Sequence, residues 1–171
     1  NITDDLTLDD ALLEGKGEIE NGELGHIDST TKLNYTVNVK QPGTYKVELD
    51  VAVGGEEGKN FPVVISQNDK VLGTAHTRRY WLWGGEWNRY SKIQTYVTLE
   101  EAGLQNISIT FPEAGMNFKK VQFTLADAVQ SIPGKLDTTN YFDKNGMVLE
   151  AGKIPNFGFS QLDYYLDYKI N

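Results

Sequence analysis

Alternation of apolar and polar residues in successive short segments is the feature that most constrains the fold of this chain. Residues 32–39 read KLNYTVNV and residues 44–53 read TYKVELDVAV, with an apolar side chain at nearly every second position. Because successive side chains of a β-strand point to opposite faces, this period predicts strands with one buried face. The segments that show it are residues 32–39, 44–53, 61–66, 71–77, 91–99, 104–111 and 116–125.

Turn-forming residues separate these segments. Residues 41–43 are Gln-Pro-Gly, and residues 67–70, Gln-Asn-Asp-Lys, lie between two strand-like segments and predict a β-hairpin. Eight or nine short strands with regular turns predict an all-β sandwich or barrel. One apolar face per strand favours two packed antiparallel sheets.

One segment departs from strict alternation. In residues 116–125, Phe118 is out of phase with Val121 and Phe123, although all three are large and apolar. Residues 6–13 carry a mixed pattern, and residues 11–13 fit either a short helical turn or a strand.

Composition excludes several classes of protein. The 171 residues suit one domain, or one domain plus part of another. The net charge of −8 argues against a nucleic-acid partner, because phosphate binding needs clustered lysine and arginine. The absence of cysteine excludes disulfides and thiolate metal sites. No apolar run approaches the roughly 18 residues of a membrane helix.

All three tryptophans lie in residues 78–90, RRYWLWGGEWNRY. Trp81 and Trp83 are two positions apart, so on a strand they share one face, and we expect them in the core. Trp87 follows Gly84-Gly85, on a turn or at the start of the next strand. A ring presented on a loop stacks against flat apolar faces, so Trp87 is either a ligand contact or a further core residue.

The end of the chain resembles its start. Residues 33–35 (LNY) match residues 162–164 (LDY) once the spacing slips by one residue. This similarity predicts a β module over residues 1–128, a linker over 129–134, and a partial second module, or strands packed on the first module, over 135–171. Chance similarity between β-rich segments is the alternative. At a spacing of 130 the identities are Ile2 with Ile132, Leu6 with Leu136, Glu20 with Glu150, and Gly22 with Gly152.

Several short motifs, in this order, resemble a carbohydrate-binding module of family six, and the related family thirty-five fits almost as well. The resemblance covers residues 1 to about 128 and includes a Gly-Gly-Trp loop, a strand that ends in Leu-x-x-Gly, and an asparagine that opens the last strand. Residues 132–135 (IPGK) look like the opening of another such module. The matching segments are residues 24–28, 35–39, 42–45, 84–87, 97–103, 107–111 and 117–118.

The resemblance implies a β-jelly-roll that binds an oligosaccharide or polysaccharide without catalysis. Such modules are attached to polysaccharide-degrading enzymes, so it also implies a secreted or cell-surface bacterial protein with further domains. By position, Trp87 is the stacking residue, Asn117 binds sugar hydroxyls, and His26 occupies the place of a second aromatic, usually tyrosine. Glu86 is an insertion before Trp87, and Glu20 beside Asn21-Gly22 is a further candidate at the same loop end.

The chemistry of these residue types agrees with that implication. A sugar ring has an apolar C–H face, which an indole covers, and a rim of hydroxyls, which amides and carboxylates bind. Asn117 equally fits the first residue of a strand, and His26 an exposed loop residue. Family members often hold a structural Ca²⁺ through an opening Glu-Ala-Glu. Here residues 7–9 read Thr-Leu-Asp, which leaves Asp9, with Asp127, as candidate ligands.

An enzyme and a structural spacer are the two other classes of function to which the sequence could belong. A glycosidase needs two carboxylates about 5–10 Å apart, and the loop acids Glu56, Glu57, Glu86 and Glu113 form no recognisable pair. The sequence also lacks a nucleophile elbow and a phosphate-binding loop, so we expect no enzyme. A structural or adhesion β-sandwich that serves as a spacer, without a sugar site, is the alternative to carbohydrate binding.

Overall fold

The computed structural model describes residues 1–78 and 87–126, and the backbone of four short strands between residues 143 and 167. A single turn of 3₁₀-helix, Leu8–Asp10, precedes the strands. The strands of the main body are β1 (Ala11–Glu14), β2 (Glu18–Glu20), β3 (Glu23–Gly25), β4 (Lys32–Val39), β5 (Gly43–Val53), β6 (Asn60–Gln67), β7 (Lys70–Arg78), β8 (Ser91–Leu99), β9 (Gly103–Thr110) and β10 (Met116–Leu125). The C-terminal strands are β11 (Asp143–Asn145), β12 (Val148–Glu150), β13 (Asn156–Gly158) and β14 (Tyr165–Asp167).

Two five-stranded antiparallel sheets form the body of the protein. The first has the strand order β1-β4-β9-β6-β7, and the second has the order β2-β3-β10-β5-β8. Several connections cross from one sheet to the other, as those from β4 to β5 and from β9 to β10 do. Neither sheet is therefore formed by one continuous run of the chain. The predicted all-β, two-sheet antiparallel sandwich is confirmed.

The core lies between the sheets and is built from the residues that the alternation placed inward. In β4, Leu33, Tyr35, Val37 and Val39 are all buried. Val53, the last apolar residue of the alternating segment 44–53, is expected to face inward, and it is partly buried and packs against the core. The remaining large buried side chains include Tyr45, Leu49, Phe61, Ile65, Ile93, Ile107, Ile109, Phe111, Phe118 and Phe123.

A β-bulge in β10 explains the out-of-phase Phe118. Phe118 pairs with Val51 of β5, whereas Lys120 pairs with the next residue back along β5, Asp50, so Lys119 is an extra residue. An extra residue in one strand shifts the alternation of side chains by one position, so residues three apart across the bulge point to the same face. Phe118 and Val121 are therefore both buried although they are three positions apart.

The N-terminal region contains a hairpin that the alternation did not predict. β2 and β3 pair through Glu20 and Glu23, which leaves Asn21 and Gly22 as a two-residue turn. Both turn residues have positive φ, 52° and 75°, as a type I′ turn requires. Residues 11–13 fit either a helical turn or a strand by sequence, and in the structure they belong to strand β1.

The C-terminal strands form two pairs, β11 with β14 and β12 with β13. Some Cα atoms of β11 lie within 8 Å of β7 and β8. The predicted linker over residues 129–134 lies outside the described residues. Across the described part of the chain, no helix is long and apolar enough to span a bilayer.

Candidate ligand-binding site

Trp87 is exposed on a turn at one end of the sandwich. Half of its surface is accessible to solvent, whereas the aromatic residues of the core are almost fully buried. The sequence left Trp87 as either a core residue or a ligand contact, and the structure places it outside the core. Trp81 and Trp83, predicted to be core residues, and Glu86 lie outside the described residues.

The backbone at Gly54, just after β5, lies directly against the indole of Trp87. A Cβ atom added to Gly54 would lie 2.3 Å from both Cδ2 and Cε2 of Trp87 and 2.8 Å from Cε3. Any side chain at position 54 would collide with the ring. One part of the indole thus packs on bare backbone while the rest of the ring stays open to solvent.

Asn117 holds the turn that carries Trp87. Its Nδ2 donates a hydrogen bond of 2.7 Å to the backbone carbonyl of Trp87. Asn117 is the second residue of β10, so the central strand of the second sheet anchors the turn. The structure therefore brings together Trp87 and Asn117, which lie 30 residues apart in the sequence.

A second group of residues, Glu23, Tyr90 and Lys119, adjoins Asn117 and was not singled out from the sequence. Lys119 Nζ lies 2.9 Å from the Glu23 carboxylate and 4.0 Å from the centre of the Tyr90 ring. The hydrogen bond from Lys119 lowers the pKa of Glu23. Burial raises the pKa of the Tyr90 hydroxyl, and the adjacent Glu23 carboxylate raises it further.

These three residues had only faint signals in the sequence. Lys119 is the extra residue of the β-bulge, which shows as the out-of-phase Phe118. Glu23 follows the Asn-Gly pair, the strongest short-range signal of a tight hairpin. Tyr90 comes three residues after Trp87, and nothing in its local sequence distinguishes it from a core aromatic.

His26 and Glu20 line an open depression of about 240 Å³ next to this group. His26 has a positive φ of 54°, its side chain is 70% exposed, and its Nε2 lies 3.8 Å from Glu18. Gly25 borders both areas, because a Cβ added there would lie 3.5 Å from Asn117 Oδ1. The full lining is Glu18, Glu20, Asn21, Glu23, Gly25 and His26.

The site offers two kinds of surface side by side. The exposed indole of Trp87 is flat and apolar, and the hairpin β2–β3 with the residue that follows it supplies carboxylates, an amide and an imidazole. Such a combination suits a ligand with an apolar face and a rim of hydroxyls.

The predicted cation ligands are not brought together within the described residues. Asp9 lies in the 3₁₀-helix before β1, and Asp127 lies outside the described residues. In the part of the chain that the structure covers, no group of three or more histidine, aspartate or glutamate side chains is arranged to hold a metal ion. The calcium site stays a prediction.

Comparison with known proteins gives a family for most of the chain. The family model described as carbohydrate binding module (family 6) matches residues 7–125. Comparison with curated protein sequences gave no match.

Solved structures share the fold at low sequence identity. A family-6 module of Cellvibrio mixtus lichenase 5A, in complex with cellotriose, is 21% identical with a TM-score of 0.58, covering 74% of this chain and 99% of that one. The C-terminal family-6 module of a laminarinase from Zobellia galactanivorans is 19% identical with a TM-score of 0.55, covering 70% and 97%. A family-6 module from Clostridium cellulolyticum, in complex with xylose, is 16% identical with a TM-score of 0.55, covering 72% and 98%.

The family match covers well over half of the chain, and the fold of the solved modules agrees with the two-sheet sandwich described above. The chain therefore belongs to family 6 of the carbohydrate-binding modules, which bind carbohydrate without cleaving it.

Proposed function

We propose that this module binds an oligosaccharide or polysaccharide on the exposed face of Trp87. The observation that supports the proposal best is the indole itself, half exposed and backed by the Gly54 backbone. A pyranose ring laid on that face buries apolar area worth a few kcal/mol at about 25 cal/mol per Å². After the cost of association, affinities in the micromolar to millimolar range are expected.

Polar groups beside the ring would bind the sugar hydroxyls. Asn117 uses Nδ2 for the Trp87 carbonyl, so we assign Oδ1 as the acceptor that it offers to a hydroxyl. His26 and Glu20, exposed on the neighbouring hairpin, would extend the contact to a second sugar unit. Glu86 precedes the stacking residue directly and is proposed as a further contact on sequence position alone.

The wider context is also a proposal. Solved neighbours include the module of a lichenase and that of a laminarinase, both enzymes that act on polysaccharides. By analogy with them, we place this module in a secreted or cell-surface bacterial protein that contains a polysaccharide-degrading domain. A structural Ca²⁺ at Asp9 and Asp127 would be compatible with carboxylate and backbone oxygen ligands.

A glycan array followed by a fluorescence titration tests the assignment of the site. We expect the tryptophan emission of the intact chain to change on addition of the saccharide that the array selects. The change should disappear in Trp87→Phe while Trp81 and Trp83 remain. An equal emission change in Trp87→Phe would place the ligand elsewhere, and no binding to any saccharide would support a spacer instead.

A further inference from the structure

Three glycines lie close together at the end of the sandwich that carries Trp87. Gly54 and Gly55 begin the loop between β5 and β6, and Gly115 ends the turn before β10. The N–H groups of Gly54 and Gly55 both donate to the Gly115 carbonyl, at 3.0 and 2.8 Å. A carbonyl oxygen has two lone pairs and can accept both bonds. The start of the β5–β6 loop is therefore fixed by the turn before β10.

The two segments approach so closely that side chains do not fit between them. A Cβ added to Gly55 would lie 2.5 Å from Cζ of Phe61, and a Cβ added to Gly115 would lie 2.8 Å from the Gly55 Cα. Gly115 also has a φ of 118°, a conformation that favours glycine. Because Phe61 is fully buried, the core supports this contact between the loop and the turn.

An ion pair makes a third connection between the same two segments. Lys59 Nζ lies 2.6 Å from a carboxylate oxygen of Glu113. Both side chains are well exposed, so the ion pair adds little stability by itself. Together with the two backbone hydrogen bonds, it ties three atoms of the β5–β6 loop to the turn before β10.

The same part of the chain also holds the tryptophan. Asn117, two residues after Gly115, donates from Nδ2 to the Trp87 carbonyl at 2.7 Å. Gly54 lies against the indole, and a Cβ added there would be 2.3 Å from two ring atoms. Residues 115–117 thus fix both the backbone of Trp87 and the backbone surface that its ring touches.

We propose that Gly54 is a positioning residue that sets the angle at which the Trp87 ring meets a saccharide, an inference that rests on the proposed function. Gly54 does not have a positive φ, so its φ does not require glycine. The atoms nearest to an added Cβ are Cδ2, Cε2 and Cε3 of the indole. The close approach of the ring is therefore the reason that a side chain does not fit at position 54. A side chain there changes the position of the ring relative to Asn117, whichever of the two segments yields.

The angle of the ring matters because stacking depends on the area that the ring shares with the sugar. A displaced ring shares less area with the C–H face of a sugar whose hydroxyl is bound by Asn117 Oδ1. The expected loss of affinity comes from misaligned contacts, with the indole still present.

Isothermal titration of the array-selected saccharide into Gly54→Ala tests this proposal. We expect binding to weaken about ten-fold, because part of the apolar area shared by ring and sugar is lost. Gly58→Ala is the matched control, since Gly58 lies in the same loop and an added Cβ would meet nothing within 4 Å. Its φ of 75° makes that variant less stable, but its affinity should equal that of the unmodified chain.

A double-mutant cycle on stability separates contact with the ring from a general effect on the loop. Denaturant unfolding is measured for Gly54→Ala in the unmodified chain and in Trp87→Ala. The transition midpoint should fall in the unmodified chain, and the shift should nearly vanish in Trp87→Ala, where the colliding ring is gone. Gly58→Ala should lower the midpoint equally in both backgrounds. If Gly54→Ala alone does not fold, the double variant should recover cooperative unfolding.

Failure of the positioning role can be told apart from failure of the proposed site. If Trp87→Ala weakens binding and Gly54→Ala does not, the positioning role is refuted and the site stands. If neither variant affects binding, the proposed site is refuted as well. An equal midpoint shift in both backgrounds, or a double variant that does not recover folding, would also overturn the positioning role, because Gly54 would then act on the loop without the ring.

Discussion

Trp87 is held at its backbone and along part of its ring, which leaves the remainder of the ring exposed to solvent. Asn117 fixes the carbonyl, and Gly54 limits how far the indole can move inward. Sequence motifs predicted Trp87 and Asn117 as site residues because the family places these residue types in a fixed order. They did not point to Gly54, because its contact with the Trp87 ring joins two loops that are far apart in the sequence.

The ion pair between Lys119 and Glu23 gives this region a pH-dependent contribution to stability. The lowered pKa of Glu23 means that the folded state binds its proton less readily than the unfolded state does. The contribution is therefore present above the ordinary pKa of a glutamate and is lost as pH falls through the lowered value.

Glu23→Gln should accordingly lower the melting temperature at pH 7, and the difference from the unmodified chain should shrink as pH falls toward 3. Thermal unfolding of both chains at a series of pH values measures this difference in melting temperature. Glu20→Gln, at the other end of the same turn, is the control and should show a smaller difference at pH 7. A difference for Glu23→Gln that stays constant with pH would contradict the ion-pair account.

Strands with one buried face were predictable because alternation reflects a real difference between the two sides of a sheet. β4 and β8 begin and end where the pattern does, at Lys32–Val39 and Ser91–Leu99. The bulge in β10 was visible as one residue out of phase. β2 and β3 were not predicted, because three-residue strands rich in glutamate carry too few apolar positions to show a period.

The hairpin β2–β3 depends on its two turn residues. Gly22 has a φ of 75°, and an added Cβ there would meet nothing within 4 Å. Gly22→Ala should therefore destabilise the hairpin through backbone strain alone, by about 1 kcal/mol. Because Glu20 lies on this hairpin and His26 directly follows it, saccharide affinity should fall modestly while the core stays intact.

Denaturant unfolding and a saccharide titration of Gly22→Ala measure the two effects. Gly58→Ala, also at positive φ with open space around it, is the comparison for strain outside the hairpin. It should lose similar stability and keep its affinity. If both variants bind the saccharide with the affinity of the unmodified chain, the hairpin is not part of the binding site.

At the scale of the whole molecule, the described core belongs to the first module. Its buried apolar residues run from Ile2 to Phe123, within the span that the family model matches. Every side chain that the structure describes in this core thus comes from the first module. The sequence predicted this division from the repeat, but the domain boundary at residue 128 stays a prediction.

A chain truncated after Ala126 should consequently keep its cooperative unfolding, its melting temperature within a few degrees, and its saccharide affinity. Differential scanning calorimetry and titration of the two chain lengths provide the comparison. A large loss of stability on truncation would show instead that the C-terminal strands support the first module, in keeping with the nearness of β11 to β7.

The direct test of the central claim is isothermal titration of the array-selected saccharide into the unmodified chain and into Trp87→Ala. We expect binding to weaken by at least ten-fold, which is about 1.4 kcal/mol, with little change in the melting temperature. Ser91→Ala, at the exposed start of β8, is the control and should bind normally. Unchanged affinity in a folded Trp87→Ala would contradict the claim that this indole is the platform on which the sugar lies.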